Sequence, residues 1–279
     1  MTFARRLSAI LPWLTLAIGL ASCAEPGARE SRANNFDLLG TDDPKTPKRN
    51  FNPDDWQRAL ALDRGSLPSI ENLPKGQVQA YIVTGDVRRT GTDSNHLVER
   101  GETFSDGETI TTAPGANTLL VFSNGETVKA NEKTQFEISI YRQEPFDEAT
   151  LGTYLRLSKD PSKSVTLLHL RYGTLQGEMK KISSAASSIF GIKTPVGYFW
   201  IKGVFILEVG CDEAGRIDHV FESCVTGSNQ LTPTREPPKT DDTPGPGAIF
   251  VPMGGQFRCR LDPATGKILE LTVMGPDAR

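Results

Sequence analysis

The sequence predicts an all-β domain, either a compact β-sandwich or a short β-solenoid, with one short helix on its N-terminal side. Two observations lead to this prediction. From residue 76 onward, short runs rich in β-branched residues alternate loosely between apolar and polar side chains, and turn-forming residues recur about every 8–15 residues. The chain also contains 26 Gly and 19 Pro among its 279 residues, which suits a fold with many tight turns.

Residues 1–22 have the features of a bacterial lipoprotein signal peptide. Two arginines precede an apolar run over residues 7–20, and the motif LASC ends at Cys23. The motif predicts cleavage before Cys23 and acylation of its sulfur; an ordinary secretory peptide cut near Ala21 is the alternative. Because the apolar run is shorter than the roughly 20 residues of a spanning helix, we expect the lipid to hold the mature chain at the membrane.

Residues 23–51 are polar and interrupted by Pro and Gly, which predicts a flexible tether between the lipid and the domain. Ala24 follows the lipidated cysteine, and in lipoproteins generally a residue other than Asp there favours the outer membrane. We therefore expect a lipid-anchored protein of the bacterial envelope, at the outer membrane and facing the periplasm. Loss of residues 1–22 removes two arginines and no acid, so the net charge changes from −3 to −5. Such a mild balance does not indicate a nucleic-acid partner.

A short helix is predicted over residues 52–65. Asn52 can cap it, Pro53 suits its first position, and two acidic residues follow in the first turn. Gly65 can end it. Trp56 belongs to its apolar face, which we expect to pack on the outside of the domain; a partner-binding helix is the alternative.

The β domain is predicted to span residues 76–275 as a series of strands joined by turns. A proline-rich segment, residues 232–247, is predicted as a loop inserted before the last hairpin. The strand connections share Gly, Asn or Pro at the expected bend and lie at Asn124-Gly125, near Gly173, at Ala214-Gly215 and around Asp262-Pro263.

Three cysteines follow Cys23, and an oxidising compartment permits a disulfide between them. A hairpin turning at Ala214-Gly215 places Cys211 opposite Asp218 and Cys224 opposite Phe205. Those two thiols are then too far apart to bridge, so Cys259 is the expected partner of either Cys211 or Cys224. No cysteine stands at zinc-ligand spacing with a histidine, so no metal is expected.

No catalytic or cofactor-binding motif is recognisable in the sequence. His96 lies in a polar loop and His169 within a strand. His219 follows Asp218, and neighbours on a strand point to opposite faces, which argues against a catalytic dyad. We therefore expect a protein that is not an enzyme and carries no cofactor.

The stretch IKTPVGYFWIKG contains the one candidate binding face. On a strand, Tyr198 and Trp200 share a face with Lys202, while Phe199 points to the other side. We expect the aromatic rings to pack in the core. The alternative is an exposed surface, where aromatic rings beside a lysine stack on a sugar ring or clamp a partner strand.

Three blocks of the β region resemble the FecR domain. The first runs from Gly101 to Ile138, with glycines at the family's turn positions and the Asn124-Gly125 turn. The second is LHLRYGTLQGEM, with an L-x-L-x-x-G step that ends at Gly173. The third is Thr194-Pro195 followed by a strand and Gly203. Together they cover most of residues 76–210, although Val204 replaces the family's Thr after the last Gly.

The resemblance implies a FecR-like periplasmic β domain. The iron-transport regulators of that family carry a cytoplasmic anti-sigma segment and a membrane helix before the domain, whereas this chain carries a lipoprotein signal. We therefore expect a non-catalytic envelope protein that binds a protein partner or an envelope glycan. A periplasmic sensor linked to transport is the alternative, and an enzyme is a weaker one.

Overall fold

The computed structural model describes residues 48–50, 52–61, 73–91, 95–146, 155, 157, 159–180, 188–233 and 248–276. The predicted signal peptide, the acylation site Cys23 and the tether up to residue 47 lie outside the described residues. So do Gly65, the predicted end of the helix, and most of the proline-rich loop, since the description stops at residue 233 and resumes at residue 248.

The described residues form 18 strands and one helix. The helix is α1 (Pro53–Ala61). The strands, in chain order, are β1 (Lys48–Asn50), β2 (Val78–Thr84), β3 (Val87–Thr90), β4 (Asn95–Leu97), β5 (Thr103–Phe104), β6 (Glu108–Thr112), β7 (Asn117–Phe122), β8 (Thr127–Ala130), β9 (Thr134–Gln143), β10 (Ser164–Glu178), β11 (Ile189–Thr194), β12 (Gly197–Trp200), β13 (Val204–Cys211), β14 (Ile217–Cys224), β15 (Ser228–Thr232), β16 (Ile249–Pro252), β17 (Gln256–Leu261) and β18 (Ile268–Met274).

Strand β10 belongs to two sheets and joins all the strands into one continuous network. Sheet 1 has the order β1-β18-β17-β14-β13-β10-β8-β7-β2-β5. Sheet 2 has the order β4-β3-β6-β9-β10-β11-β12-β15-β16. Strands β10 and β11 pair in parallel, and the other described pairs are antiparallel.

The crossing of β10 between the sheets takes place at Gly173, where the sequence predicts a hinge. Residues before it pair with β9 in sheet 2, and residues from Gly173 onward pair with β13 in sheet 1. Gly173 has φ +93°, and an added Cβ would lie 2.4 Å from the Cα of Thr134. Only glycine suits this position, because both the backbone conformation and the close approach exclude a side chain.

Side chains of both sheets share one hydrophobic core, so the prediction of a compact all-β fold is confirmed. Aromatic side chains join the sheets: Phe122 of sheet 1 meets Phe190 of sheet 2, with ring centroids 6.4 Å apart. Phe257 and Phe199 meet in the same way at 5.4 Å. Phe199 thus points into the core, as the strand alternation predicts.

The helix begins at the predicted position. The last residues of the predicted tether, in contrast, are part of a strand. The side chain of Asn52 accepts a hydrogen bond from the Asp54 amide at 3.0 Å, so Asn52 caps α1. The Gln57 side chain accepts from the Ile268 amide at 3.4 Å, which holds α1 against β18. Residues 48–50, predicted as flexible tether, form β1 instead, because β18 offers them a sheet edge with which to pair.

The β13–β14 hairpin follows its predicted register along most of its length. Phe205 lies opposite Cys224, as the turn position predicts. Near the turn, Cys211 lies opposite Ile217 rather than Asp218. The pairing shifts between Gly210 and Cys211, because a β-bulge adds one residue to one strand.

Candidate binding site

The β7–β8 turn is buried, although turns usually lie at the surface. Every residue from Ser123 to Glu126 is buried. The Asn-Gly turn predicted from the sequence is present, and the Gly125 amide donates to the Phe122 carbonyl at 2.8 Å. Because buried backbone groups need partners, the surrounding strands must supply polar side chains.

Side chains of β9 satisfy the buried turn from one side. The Asn124 amide donates to the Tyr141 hydroxyl at 3.1 Å. The same hydroxyl lies 2.9 Å from the Ser123 hydroxyl and donates to the Gln143 side-chain oxygen at 3.0 Å. Ser123 also donates to Gln143. The turn therefore depends on a polar cluster that comes from a distant part of the chain.

Side chains around β10 satisfy the turn from the other side. The Asn124 side-chain amide donates to the Ser164 hydroxyl at 2.9 Å, and Ser164 donates to the Asp160 carboxyl at 3.1 Å. Thr166 donates to the Glu126 carboxyl at 3.3 Å. Burial raises the pKa of Asp160, against the hydrogen bonds that it accepts from neighbouring serines. We call the polar residues of the turn, together with the polar residues that contact them, the polar cradle. Its members are Ser123, Asn124, Glu126, Tyr141, Gln143, Asp160, Ser164 and Thr166.

Glu126 is the member of the polar cradle that reaches a pocket. Its side chain is only 4% exposed, and burial raises its pKa to about 8, with the negative charge of Asp160 adding to the effect. The hydrogen bonds from Asn124 and Thr166 act in the opposite direction but are weaker. At neutral pH the carboxyl is therefore mostly protonated and can donate a hydrogen bond.

The pocket has a volume of about 680 Å³, within the usual range for ligand sites. It combines one end of the polar cradle with apolar side chains of the core and two lysines. The described residues that line it are Glu126, Glu178, Met179, Lys180, Ser188, Phe190, Ile201, Lys202, Gly203, Val204, Thr226 and Gly227.

Two glycines give the pocket a wall of main chain. An added Cβ on Gly203 would lie 2.1 Å from the Thr226 carbonyl oxygen, and one on Gly227 would lie 1.7 Å from the Lys202 carbonyl oxygen. The two segments are thus in direct backbone contact. The Lys-Gly step of the sequence exists because no side chain fits between these segments.

The lining has a net positive charge at neutral pH. The Lys180 side chain is 14% exposed, and its Nζ lies 3.7 Å from the Glu178 carboxylate. Lys202 is exposed. With Glu126 protonated, two lysines and one glutamate leave a net charge of one, which favours an anionic group in the pocket.

A second buried carboxyl lies behind Lys202. Burial raises the pKa of Glu222 to about 8. One carboxyl oxygen accepts from the Asn229 side chain at 2.6 Å, and the other has no hydrogen-bond partner among the described residues. Asn229 in turn accepts from the Lys202 amide at 3.1 Å. This chain of contacts fixes the backbone of Lys202 at the edge of the pocket.

The predicted binding face does not form as one surface. Tyr198 and Trp200 stack on each other, with centroids 5.4 Å apart and planes 12° apart. Tyr198 is only 6% exposed because it packs in a second hydrophobic cluster with Val165 and Leu167. Trp200 is half-buried in the same cluster. Lys202 lines the pocket, and neither aromatic residue is among the described residues that line it.

The predicted disulfide does not form among the described residues, where the thiols of Cys211, Cys224 and Cys259 are all free. Cys259 lies opposite Val220 in the β14–β17 pair. Cys224 is four residues further along β14, about 13 Å away at the usual rise per residue. Burial raises the pKa of Cys224 to about 11 and of Cys259 to about 12, so both thiols are protonated.

His219 and Asp218 do make contact, contrary to the argument from strand alternation. The His219 Nδ1 lies 2.6 Å from the Asp218 carboxylate, and its Nε2 lies 3.5 Å from Glu208. The ring covers Gly210, where an added Cβ would lie 1.8 Å from it. Across the described part of the chain, no three His, Cys, Asp or Glu side chains come together as a metal site.

No helix within the described ranges is both long and apolar enough to cross a membrane.

Of the residues that line the pocket, Lys202 could be predicted from the sequence, whereas Glu126 and Lys180 could not. The signal for Glu126 was weak: it follows the Asn-Gly turn directly, where an exposed polar residue is the usual expectation.

In a comparison with known proteins, no family model, no curated protein and no solved structure matches the chain.

Proposed function

We propose that the chain is a non-catalytic, lipid-anchored binding protein of the bacterial envelope. Acylated at Cys23 and held at the outer membrane, it presents a FecR-like β domain to the periplasm, where the domain binds a protein partner or an envelope glycan. The main support for a binding role is the pocket beside Lys202. It joins apolar, cationic and protonated acidic groups in one cavity of about 680 Å³.

The chemistry of the lining favours a protein partner over a glycan. Phe190 is the one aromatic residue among the described lining residues, and it is buried in the core. A ring that stacks on a sugar must be exposed, and Trp200, the aromatic candidate from the sequence, is held by a hydrogen bond to Thr232 at 3.1 Å.

Photo-crosslinking in the native envelope tests this proposal. A benzoylphenylalanine in place of Lys202 is expected to capture an envelope protein upon irradiation. The same residue in place of Lys129, which is exposed on β8 and outside the pocket lining, is the matched control. Capture of the same protein at both positions, or at neither, would contradict a binding role for the pocket.

The anchor is tested separately by labelling with palmitate. The Cys23→Ser variant is expected to lose the label and to leave the membrane fraction, because the lipid is the proposed attachment. Retention of the protein in washed membranes without the label would contradict the lipid anchor.

A further inference from the structure

We propose that the pocket binds the free C-terminal end of a partner polypeptide whose last residues are apolar. The terminal carboxylate lies against Lys180 and Lys202, and the apolar side chains lie against Met179, Phe190 and Ile201. This inference rests on the proposed function, since it assumes that the domain binds a protein.

The lysines supply the recognition of a carboxylate. The Lys180 side chain is 14% exposed, and its one described ionic partner is Glu178 at 3.7 Å. That distance is long for a charge-assisted hydrogen bond. A ligand carboxylate can therefore occupy a shorter contact with Lys180, while the exposed Lys202 completes the pair from the pocket edge.

Glu126 contributes a neutral hydrogen-bond donor. It faces the pocket from the buried turn, and its described polar neighbours are Asn124, Thr166 and Asp160. A protonated carboxyl can donate to a ligand oxygen, whereas an ionised one would repel it. The pocket thus presents two kinds of hydrogen-bond donor, the lysine ammonium groups and a protonated carboxyl. Such donors suit a carboxylate ligand rather than a cation.

The apolar lining supplies the second half of the recognition. Met179, Phe190 and Ile201 are buried at the back of the pocket and belong to the main core. Methionine adapts its shape to different apolar groups. An aliphatic side chain of the peptide, next to its carboxylate, would cover these residues and exclude water. The contact between the carboxylate and the lysines is stronger without water.

A peptide is chosen over a fatty acid of similar charge because the proposed function is the binding of a protein. Gly203 and Gly227 line the pocket with backbone atoms, and the Gly203 carbonyl already accepts a hydrogen bond from the Met179 amide at 2.9 Å. Octanoate, a fatty acid of the same charge, is therefore one of the comparison ligands in the test.

Calorimetric titration of the full-length chain in detergent tests the inference. The ligand is an acetylated tetrapeptide that ends in two leucines with a free carboxylate; the comparison ligands are its C-terminal amide and octanoate. The free acid is expected to bind with a Kd of about 10–500 μM, and the amide at least about tenfold more weakly, because it lacks the charge. No saturation below about 1 mM, equal binding of acid and amide, or binding of octanoate alone would overturn the inference.

Variants place the binding in the pocket. Two variants, Lys180→Met and Lys202→Met, keep the apolar bulk of the side chain but remove its charge. Each is expected to weaken the binding of the free acid about five- to tenfold and to change the binding of the amide little. Lys129→Met is the matched control and is expected to bind as the unaltered chain does. Thermal unfolding of each variant checks that the fold persists. Equal loss in the control variant would also overturn the inference.

The two proposals fail in distinguishable ways. If the tetrapeptide does not bind but crosslinking at Lys202 still captures an envelope protein, the C-terminal recognition is wrong and the binding role remains. If neither experiment gives a signal, both are wrong.

Discussion

Removal of one hydroxyl from the polar cradle should destabilise the whole domain. In the variant Tyr141→Phe the ring stays in place against Phe122, at a centroid distance of 5.1 Å, so the apolar packing is unchanged. Only the hydroxyl is lost. The perturbation therefore isolates the polar support of the buried turn.

The expected cost follows from the contacts of that hydroxyl. It accepts a hydrogen bond from the buried Asn124 amide at 3.1 Å, and without it this donor has no partner in the described structure. An unsatisfied buried donor costs about 1–3 kcal/mol. The hydroxyl also contacts Ser123 and Gln143, but these two bond to each other and keep part of that energy. We expect a loss of about 2–4 kcal/mol, a large share of the roughly 5–15 kcal/mol that stabilises a domain.

Urea unfolding followed by tryptophan fluorescence measures this loss. The matched control is Tyr81→Phe, because Tyr81 is 39% exposed, and a surface change of this kind stays within about 0.5 kcal/mol. The midpoint should fall for Tyr141→Phe with little change in the slope of the transition. A change in Tyr141→Phe no larger than that in Tyr81→Phe would refute the view that the cradle supports the turn.

Three further predictions follow from the fold and the buried groups. Gly173→Ala should cost about 3 kcal/mol or more in urea unfolding, because positive φ and a backbone clash add, whereas Gly215→Ala, with φ +77° and nothing within 4 Å of an added Cβ, should cost only about 1 kcal/mol. The pKa of Glu126 and of Glu222 is raised from 4.5 to about 8 by burial, so the folded protein keeps protons that the unfolded chain releases. Stability should therefore fall as pH rises from about 4.5 to about 8, by at most about 1.4 kcal/mol per pH unit for each group, and replacement of either by Gln should reduce the slope. Of the three thiols in the β domain, only the exposed Cys211 should react with a water-soluble thiol reagent before unfolding.

The strand pattern and turns could be predicted from the sequence because they are set by local residue order. The Asn124-Gly125 turn, the bend at Gly173 and the pairing of Phe205 with Cys224 all follow from turn residues and alternation. The bulge beside Cys211 could not be predicted, since one extra residue in a strand leaves no mark in composition. The predicted disulfide is absent for two reasons. Cys259 on β17 is offset along the ladder from Cys224 on β14, and β14 itself lies between β17 and Cys211 on β13.

The site could be predicted only in part, because its groups come together through long-range packing. Lys202 was found since it interrupts an aromatic run. Alternation left open whether Tyr198 and Trp200 pack in the core or form an exposed face, because it does not show what covers a face. Here the outer face of sheet 2 carries its own small hydrophobic cluster. The burial of the Asn124 turn depends on side chains from β9 and β10, which local patterns cannot reveal.

The course of β10 connects the fold to the site. Because the strand crosses from sheet 2 to sheet 1 at Gly173, its first half lies beside the buried turn and supplies Ser164 and Thr166, while its last residues lead to Lys180 at the pocket. The turn is buried for the same reason, and burial raises the pKa of Glu126 to about 8. An ionised Glu126 would cancel the remaining positive charge of the pocket, and a carboxylate would then gain little from entering. The burial of one hairpin turn therefore sets both the stability of the domain and the charge of its binding pocket.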